Sequence, residues 1–346
     1  VDSVSPTSAA QPAGIDLVGL TRSLVDIDST TGREGEAGRW LASYLRGLGL
    51  PVAEQRVDES RFNVMVIGAS PAPTVVFSTH FDCVPPFFPS RVEGDRIYGR
   101  GSCDAKGILA AQVSAFERLR REGEHRVGLL FVVGEERGSD GAKAANLAAG
   151  GSRFLVNGEP TDNRLGVATR GAFRIKLKAS GRAAHSSFPE LGESAIDALI
   201  DALIELRSIE LPSDEVLGRT HYTVGLISGG IAPNVVSPSA EAEVMFRTVG
   251  AADVVRRAIA PLARRVTIEP ILEVPAVRLT TVPGIETAVF PYTTDIPFLE
   301  RWGKPLLFGP GSIHLAHTAD ESVEIADLQL AVDAYVAIAR ELLARV

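Results

Sequence analysis

His80 and Asp82, Asp104, the adjacent pair Glu135 and Glu136, Glu159 and His317 are residues of the types that hold and use metal ions. Two imidazoles and several carboxylates suit a pair of divalent cations, provided that one carboxylate is shared. Such a pair lowers the pKa of a water toward neutrality, and a separate carboxylate must then accept the water's proton and pass it on. Glu135 and Glu136 can divide that labour, because neighbours leaving a strand end point in different directions. Asp82 lies two residues from His80, on the same face of an extended segment, and can accept the other ring N–H of that histidine. Each piece alone also has a bland reading. A Glu-Glu pair is commonly a solvated turn, an Asp in a Gly-rich loop is turn chemistry, and Glu159 before Pro160 can cap a turn.

The elements between these residues argue for a site. Residues 74–78, 127–133 and 153–156 are short, β-rich apolar runs of the length of buried strands. Trp40, Leu41, Tyr44, Leu45 and Leu48 recur at helical spacing ahead of Gly49, and helical patterns fill 108–121 and 141–149. Strand alternating with helix predicts an α/β fold with a mostly parallel sheet flanked by helices. His80 follows the first run, Glu135 and Glu136 the second and Glu159 the third, while His317 comes after a further strand candidate at 305–308. Ligands of open α/β sheets bind beyond the carboxyl ends of the strands, so these residues fall where a site belongs.

From about Gly171 the pattern changes. Strand patterns at 173–179, 222–227, 241–246 and 266–272, with helical stripes at 196–206 and 251–263, give the order βαββαβ of a ferredoxin-like unit. The expected domains are 1–170 and 278–346 for the catalytic part, with 1–13 a loose tail, and 171–277 for an inserted lid and dimerisation domain.

The net charge of -8 and the lack of any Lys/Arg cluster argue against nucleic acid as a partner. No apolar run approaches the ~20 residues that span a bilayer, and residues 1–14 lack the basic start and apolar stretch of a signal peptide. Two cysteines, Cys83 and Cys103, make no disulfide framework and read as small packing residues, which suits a cytoplasmic location. A dinucleotide fingerprint fails because position 104 is Asp, and neither a Walker loop nor a Gly-x-Ser-x-Gly elbow is present. A binding or scaffold module without catalysis is disfavoured, because the candidate ligands and the Glu135–Glu136 pair are all present.

Four segments carry a family resemblance: Ser78-Thr79-His80-Phe81-Asp82-Cys83-Val84-Pro85, Tyr98-Gly99-Arg100-Gly101-Ser102-Cys103-Asp104-Ala105-Lys106-Gly107, Gly181-Arg182-Ala183-Ala184-His185-Ser186-Ser187, and Phe308-Gly309-Pro310-Gly311-Ser312 leading to His317. With them the chain resembles the dinuclear-zinc amidohydrolases that include acetylornithine deacetylase, succinyl-diaminopimelate desuccinylase, aminoacylase and glutamate carboxypeptidase. The resemblance implies a zinc-exopeptidase-like catalytic domain and two divalent ions, zinc first, with cobalt or manganese tolerated. It implies that Asp104 bridges them, that His80 and Glu159 hold one ion, and that Glu136 and His317 hold the other. It makes Glu135 the general base and then acid, and His185 an oxyanion donor, often supplied in this family by the partner subunit of a homodimer. Asn234, Arg247 and Gly311 match substrate-binding positions, with Asn234 and Arg247 at those that hold a substrate carboxylate. Ala105 stands where the family has a larger apolar residue, and a cis Asp104–Ala105 peptide is implied. Glu rather than Asp at 159 is closer to acylases and carboxypeptidases than to aminopeptidases. The activity implied is hydrolysis of the amide of a small N-acyl amino acid, acetylornithine deacetylase-like. Desuccinylase, acetylcitrulline or acyl-lysine deacylase, and dipeptidase or carboxypeptidase are the alternatives.

Overall fold

Val75–His80, Val127–Val132 and Phe154–Asn157 are buried at every position, as strands covered on both faces must be. A computed structural model, which describes residues 14–68 and 72–346, places them side by side and parallel in a six-stranded sheet. The expected loose tail at 1–13 lies outside the described residues. Lys304–Leu307 adds a fourth parallel strand beside Phe154–Asn157. The sheet order is Val52–Arg56, Phe62–Val66, Val127–Val132, Val75–His80, Phe154–Asn157, Lys304–Leu307. The first two pair antiparallel and were not anticipated. Val-Ala-Glu-Gln-Arg at the edge carries charges and little apolar alternation, which protects an open edge but hides a strand from pattern reading.

Alternation along the central strand sorts side chains to two faces. The Phe77 ring lies 5.1 Å from that of Tyr335, which meets Phe308 edge-on at 5.1 Å. This face is covered by Lys106–Arg121 and Ile325–Leu343. On the other face Val76, Leu130, Val132 and Leu155 pack with Ala142 and Ala145 of Asp140–Leu147 and with Trp302. At the start of Lys106–Arg121, a Cβ on Gly107 would stand 2.3 Å from the Ser102 carbonyl oxygen. Only glycine lets that helix pack so tightly on the loop carrying Asp104.

The chain divides into two compact units. One runs to Arg164 and includes Val282–Glu286 and Phe298–Val346; the other is Leu165–Thr281 with Thr287–Pro297. The second unit has a four-stranded antiparallel sheet in the order His221–Gly229, Ser239–Thr248, Gly171–Ser180, Thr267–Val274. Its helices Ala195–Ser208 and Ala252–Ile259 bury Leu199, Leu206, Val255 and Ile259 against Phe173, Ile175, Val244 and Phe246. This is the ferredoxin-like βαββαβ arrangement. The helix expected over 251–263 gives way to a 3-10 turn at Ala260–Arg264, where Pro261 has no N–H to continue the α-helical ladder. The unit also takes in more chain than 171–277. Leu165–Thr169 pairs with both Val277–Arg278 and Thr287–Phe290, drawing its flanks into a small sheet of their own.

Candidate metal centre

The parallel strands deliver their residues at their carboxyl ends. His80 closes Val75–His80, after which the Phe81 amide bonds to the Val132 carbonyl. Glu135 and Glu136 open a 3-10 turn after Val127–Val132, entered through Gly134 at φ 76°. Glu159 follows Phe154–Asn157 after Gly158, whose amide bonds to the Ser78 carbonyl at 2.7 Å. His317 follows Lys304–Leu307 and has φ 63°, a left-handed conformation uncommon outside glycine and worth noting at a functional position. Asp104 precedes Lys106–Arg121, and its bond to Ala105 is cis, as the resemblance implied.

These residues form two donor groups that share one carboxylate: His80, Asp104 and Glu159, and Asp104, Glu136 and His317. Within each group the ligand atoms lie within 4.8 Å of one another. His80 Nε2 is 3.0 Å from Asp104 Oδ1 and 4.0 Å from Glu159 Oε2. His317 Nε2 is 3.3 Å from Asp104 Oδ2 and 2.9 Å from Glu136 Oε1. Each oxygen of Asp104 therefore faces a different imidazole, the geometry a bridging carboxylate needs. The first group is buried, whereas the His317 side chain is half exposed, so the second opens toward solvent.

The electrostatics fit cations. Among the described residues, Asp104 pairs with both imidazoles and Glu136 with His317, and neither carboxylate pairs with a Lys or Arg. Burial opposes a charge on His80, yet its bonds to Asp104 and Asp82 push its pKa well above the usual range. Bonds to Asp104 and Glu136 lift His317 to about 10. Burial and the nearby Asp104 charge raise the Glu136 carboxyl. Asp104 is held low against burial by its bonds to His317 and His80. The negative potential that keeps protons on these imidazoles also favours divalent ions. Among the described residues neither thiol joins a donor group; burial pushes Cys83 up to about 11 and Cys103 well above its usual value.

Asp82 is buried beneath the centre. His80 Nδ1 is 3.1 Å from the Asp82 carbonyl oxygen and 3.4 Å from its Oδ1, which turns Nε2 toward Asp104. The same carboxylate accepts the amides of Glu135 at 3.0 Å and Glu136 at 3.2 Å, and the Thr31 hydroxyl at 2.8 Å. Of the adjacent pair, Glu136 joins a donor group and Glu135 does not. Thr31 was not picked out from the sequence, and neither Arg100 nor Glu321 had a role assigned. Glu321 accepts the amides of Gly101, Cys103 and Asp104 and pairs with Arg100. Gly311, at φ 79°, is a turn whose carbonyl takes the Asp162 amide at 2.8 Å; a Cβ there would stand 2.6 Å from Cys103 Sγ.

The remaining expected residues belong to the second unit. His185 is bridged to Val235, and the Ser186 amide donates to the Asn234 carbonyl at 3.0 Å, so the His185 and Asn234 loops run together. His185 Nδ1 accepts the Ser187 amide at 3.1 Å, which leaves Nε2 to carry the proton of the neutral ring. Arg247 lies on Ser239–Thr248, opposite His221 and Ala172, half-buried, with burial lowering its pKa.

A mostly parallel sheet whose strand ends bring together two donor groups sharing an aspartate suits a two-metal hydrolase. Peptidase family M20/M25/M40 matches residues 76–341. The chain is 41% identical to a peptidase M20 domain-containing protein of Schizosaccharomyces pombe, covering 92% of this chain and 82% of that protein. It is 39% identical to a "Probable carboxypeptidase" of Aspergillus terreus, over 91% and 83% of the two. Its fold is similar to a solved tripeptidase from Staphylococcus aureus, with TM-score 0.78, 22% identity and coverage of 94% and 98%. It is also similar to a dinuclear metal binding peptidase of the M20 family from Bacillus subtilis, with TM-score 0.69, 16% identity and coverage of 94% and 98%. The chain belongs to peptidase family M20/M25/M40.

Proposed function

We propose that this protein hydrolyses the amide bond of a small substrate with a free carboxylate, either a short peptide or an N-acyl amino acid. The observation that carries the reading is Asp104 facing His80 through one oxygen and His317 through the other. His80, Asp104 and Glu159 would hold one divalent ion, and Asp104, Glu136 and His317 the second. Zinc suits this donor set, and cobalt or manganese can replace it. When bound, the ions supply Lewis acidity and lower the pKa of water.

Glu135 takes a proton from the attacking water as its oxygen bonds to the carbonyl carbon. It then returns that proton to the amine nitrogen as the C–N bond breaks, and the water's second proton passes from the new carboxyl group to the amine, so that a carboxylate and an ammonium ion leave. His185 donates from Nε2 to the carbonyl oxygen as negative charge develops there. Arg247 and Asn234 hold the substrate carboxylate, which a guanidinium fork suits, and Gly311 belongs to the same substrate-binding set.

Relatives described as carboxypeptidases favour release of a C-terminal residue over an acetylornithine deacetylase-like reaction. Both break the same kind of bond. A metal-loaded screen of dipeptides, N-acetyl and N-succinyl amino acids separates them, with Glu135→Ala as the control. Turnover that survives in that variant would remove Glu135 from the mechanism.

The second unit supports a homodimer. Among the described residues its edge strand His221–Gly229 pairs along one side only, and it exposes Leu226 and Ile227, 64% and 62% accessible. Ile200 and Ile204 are also exposed, on Ala195–Ser208. A second copy would cover both, and the His185 loop would then serve the partner's site. The two free, buried cysteines fit a reducing cytoplasm.

A further inference from the structure

Glu321 is a carboxylate with a side chain only 1% exposed. Burying such a group is costly unless its charge is matched and its oxygens are fully bonded. Here both conditions hold. Oε2 pairs with Arg100 Nη1 at 2.5 Å. Oε1 accepts three backbone amides of one loop: Gly101 at 2.9 Å, Cys103 at 3.2 Å and Asp104 at 3.0 Å. Without that oxygen, three buried N–H groups would lose their partner at once, a cost the loop could meet only by changing shape.

The residue is gripped from its own side as well. Its carbonyl takes the Gly99 amide at 3.1 Å, and the following Ser322–Glu324 pairs antiparallel with Arg96–Tyr98. Arg100 is fixed in turn: its Nε donates to the Pro86 carbonyl at 3.2 Å, and its guanidinium lies 5.0 Å from the centre of the Phe88 ring. Glu321 stands four residues after His317. One side chain thus joins the loop that aims Asp104 to the segment that carries His317.

We infer that Glu321 is the positioning residue of the bridging aspartate, and that the Arg100–Glu321 pair makes the two donor groups close together. It belongs to neither donor group. It sets the direction of the Asp104 side chain through the Asp104 amide, and it anchors the chain that returns His317 to Glu136. The inference rests on the two-cation reading above.

The test is titration of chelator-stripped protein with Zn2+ and Co2+, followed by calorimetry and, for cobalt, by its visible absorption. Wild type takes up two ions. Glu321→Ala binds the weaker of the two about 100-fold less tightly, the upper end for residues that orient metal ligands. Glu321→Gln falls between Glu321→Ala and wild type, because its amide oxygen still accepts the loop N–H groups while Arg100 loses its counter-charge. Glu117→Gln removes another nearly buried carboxylate, paired with Arg120 and Arg121, and leaves both affinities unchanged. The inference is overturned if Glu321→Ala binds two ions like wild type, or if Glu117→Gln loses the second ion equally. If Glu321→Ala does not fold, Glu321→Asp, one methylene shorter, takes its place: weakened second-ion binding in a folded protein supports the inference, and wild-type binding overturns it. A wild-type protein that binds fewer than two ions would instead overturn the two-cation reading, and the inference with it.

Discussion

The Glu135 amide donates to Asp82 Oδ1 at 3.0 Å, although the two residues come from the ends of different strands. Because the same oxygen lies 3.4 Å from His80 Nδ1, Asp82 orients a metal-ligand candidate and holds the turn of Glu135, the proposed general base. A single buried carboxylate thereby links His80 of one donor group to the turn that carries Glu135 and Glu136.

Asp82→Asn should therefore weaken metal binding and turnover together, each by about 10- to 100-fold. The amide keeps one acceptor oxygen but loses the charge facing His80. Metal titration and kcat/KM on the same preparation check this; a loss of turnover with full metal affinity would show that Asp82 acts only on the Glu135 turn.

The adjacent glutamates should separate cleanly. Glu135→Gln should keep both ions and lose about 10²- to 10⁴-fold in kcat, the range for removal of a general acid-base. Glu136→Ala should lose the more exposed ion, because its carboxylate is the one 2.9 Å from His317. Metal content by elemental analysis beside kcat distinguishes the two, and equal metal loss in both variants would refute the division of roles.

Metal uptake should release protons and tighten as pH rises. His317, lifted to about 10 by Asp104 and Glu136, holds a proton at neutral pH that an incoming ion must displace. Calorimetry in buffers of different ionisation enthalpy counts the protons released. The stripped protein should behave in the opposite sense. A raised histidine pKa stabilises the fold fully below its unfolded value of 6.5, and that contribution is lost as pH rises toward about 10. Thermal unfolding of stripped protein across that window checks the sign.

Mixing inactive His185→Ala and Glu135→Ala subunits should restore about a quarter of wild-type activity if each His185 serves the partner's site. Half of randomly assorted dimers are then mixed, with one intact site in two. Leu226→Asp in both chains should abolish that recovery and yield monomers by sedimentation, since Leu226 is 64% exposed on the edge strand. No recovery in well-formed mixed dimers would place His185 in the site of its own chain.

The strands that carry the centre were legible because burial on both faces demands unbroken apolar runs, and Val127–Val132 and Phe154–Asn157 have them. The edge hairpin Val52–Arg56 and Phe62–Val66 was not, since its outer strand is exposed and polar and its pairing comes from a neighbour. The bounds of the second unit moved for a similar reason: Leu165–Thr169 has no amphipathic pattern of its own and is recruited by distant segments.

For the centre, residue type and order along the chain were enough to bring forward His80, Asp104, the pair Glu135 and Glu136, Glu159 and His317, because metal chemistry restricts which side chains can serve and parallel strands present all but Asp104 at one end; that Glu136 is the ligand of the pair came from the family resemblance. Their support was decided only by the fold. Glu321 meets the Asp104 amide across 217 residues, and Thr31 meets Asp82 across 51. Such bonds leave no periodicity in the chain, since any buried carboxylate or hydroxyl looks alike until folding brings its donor or acceptor within 3 Å or so. Composition and spacing could specify the chemistry of the ligands. Which neighbours aim them depended on how distant segments pack.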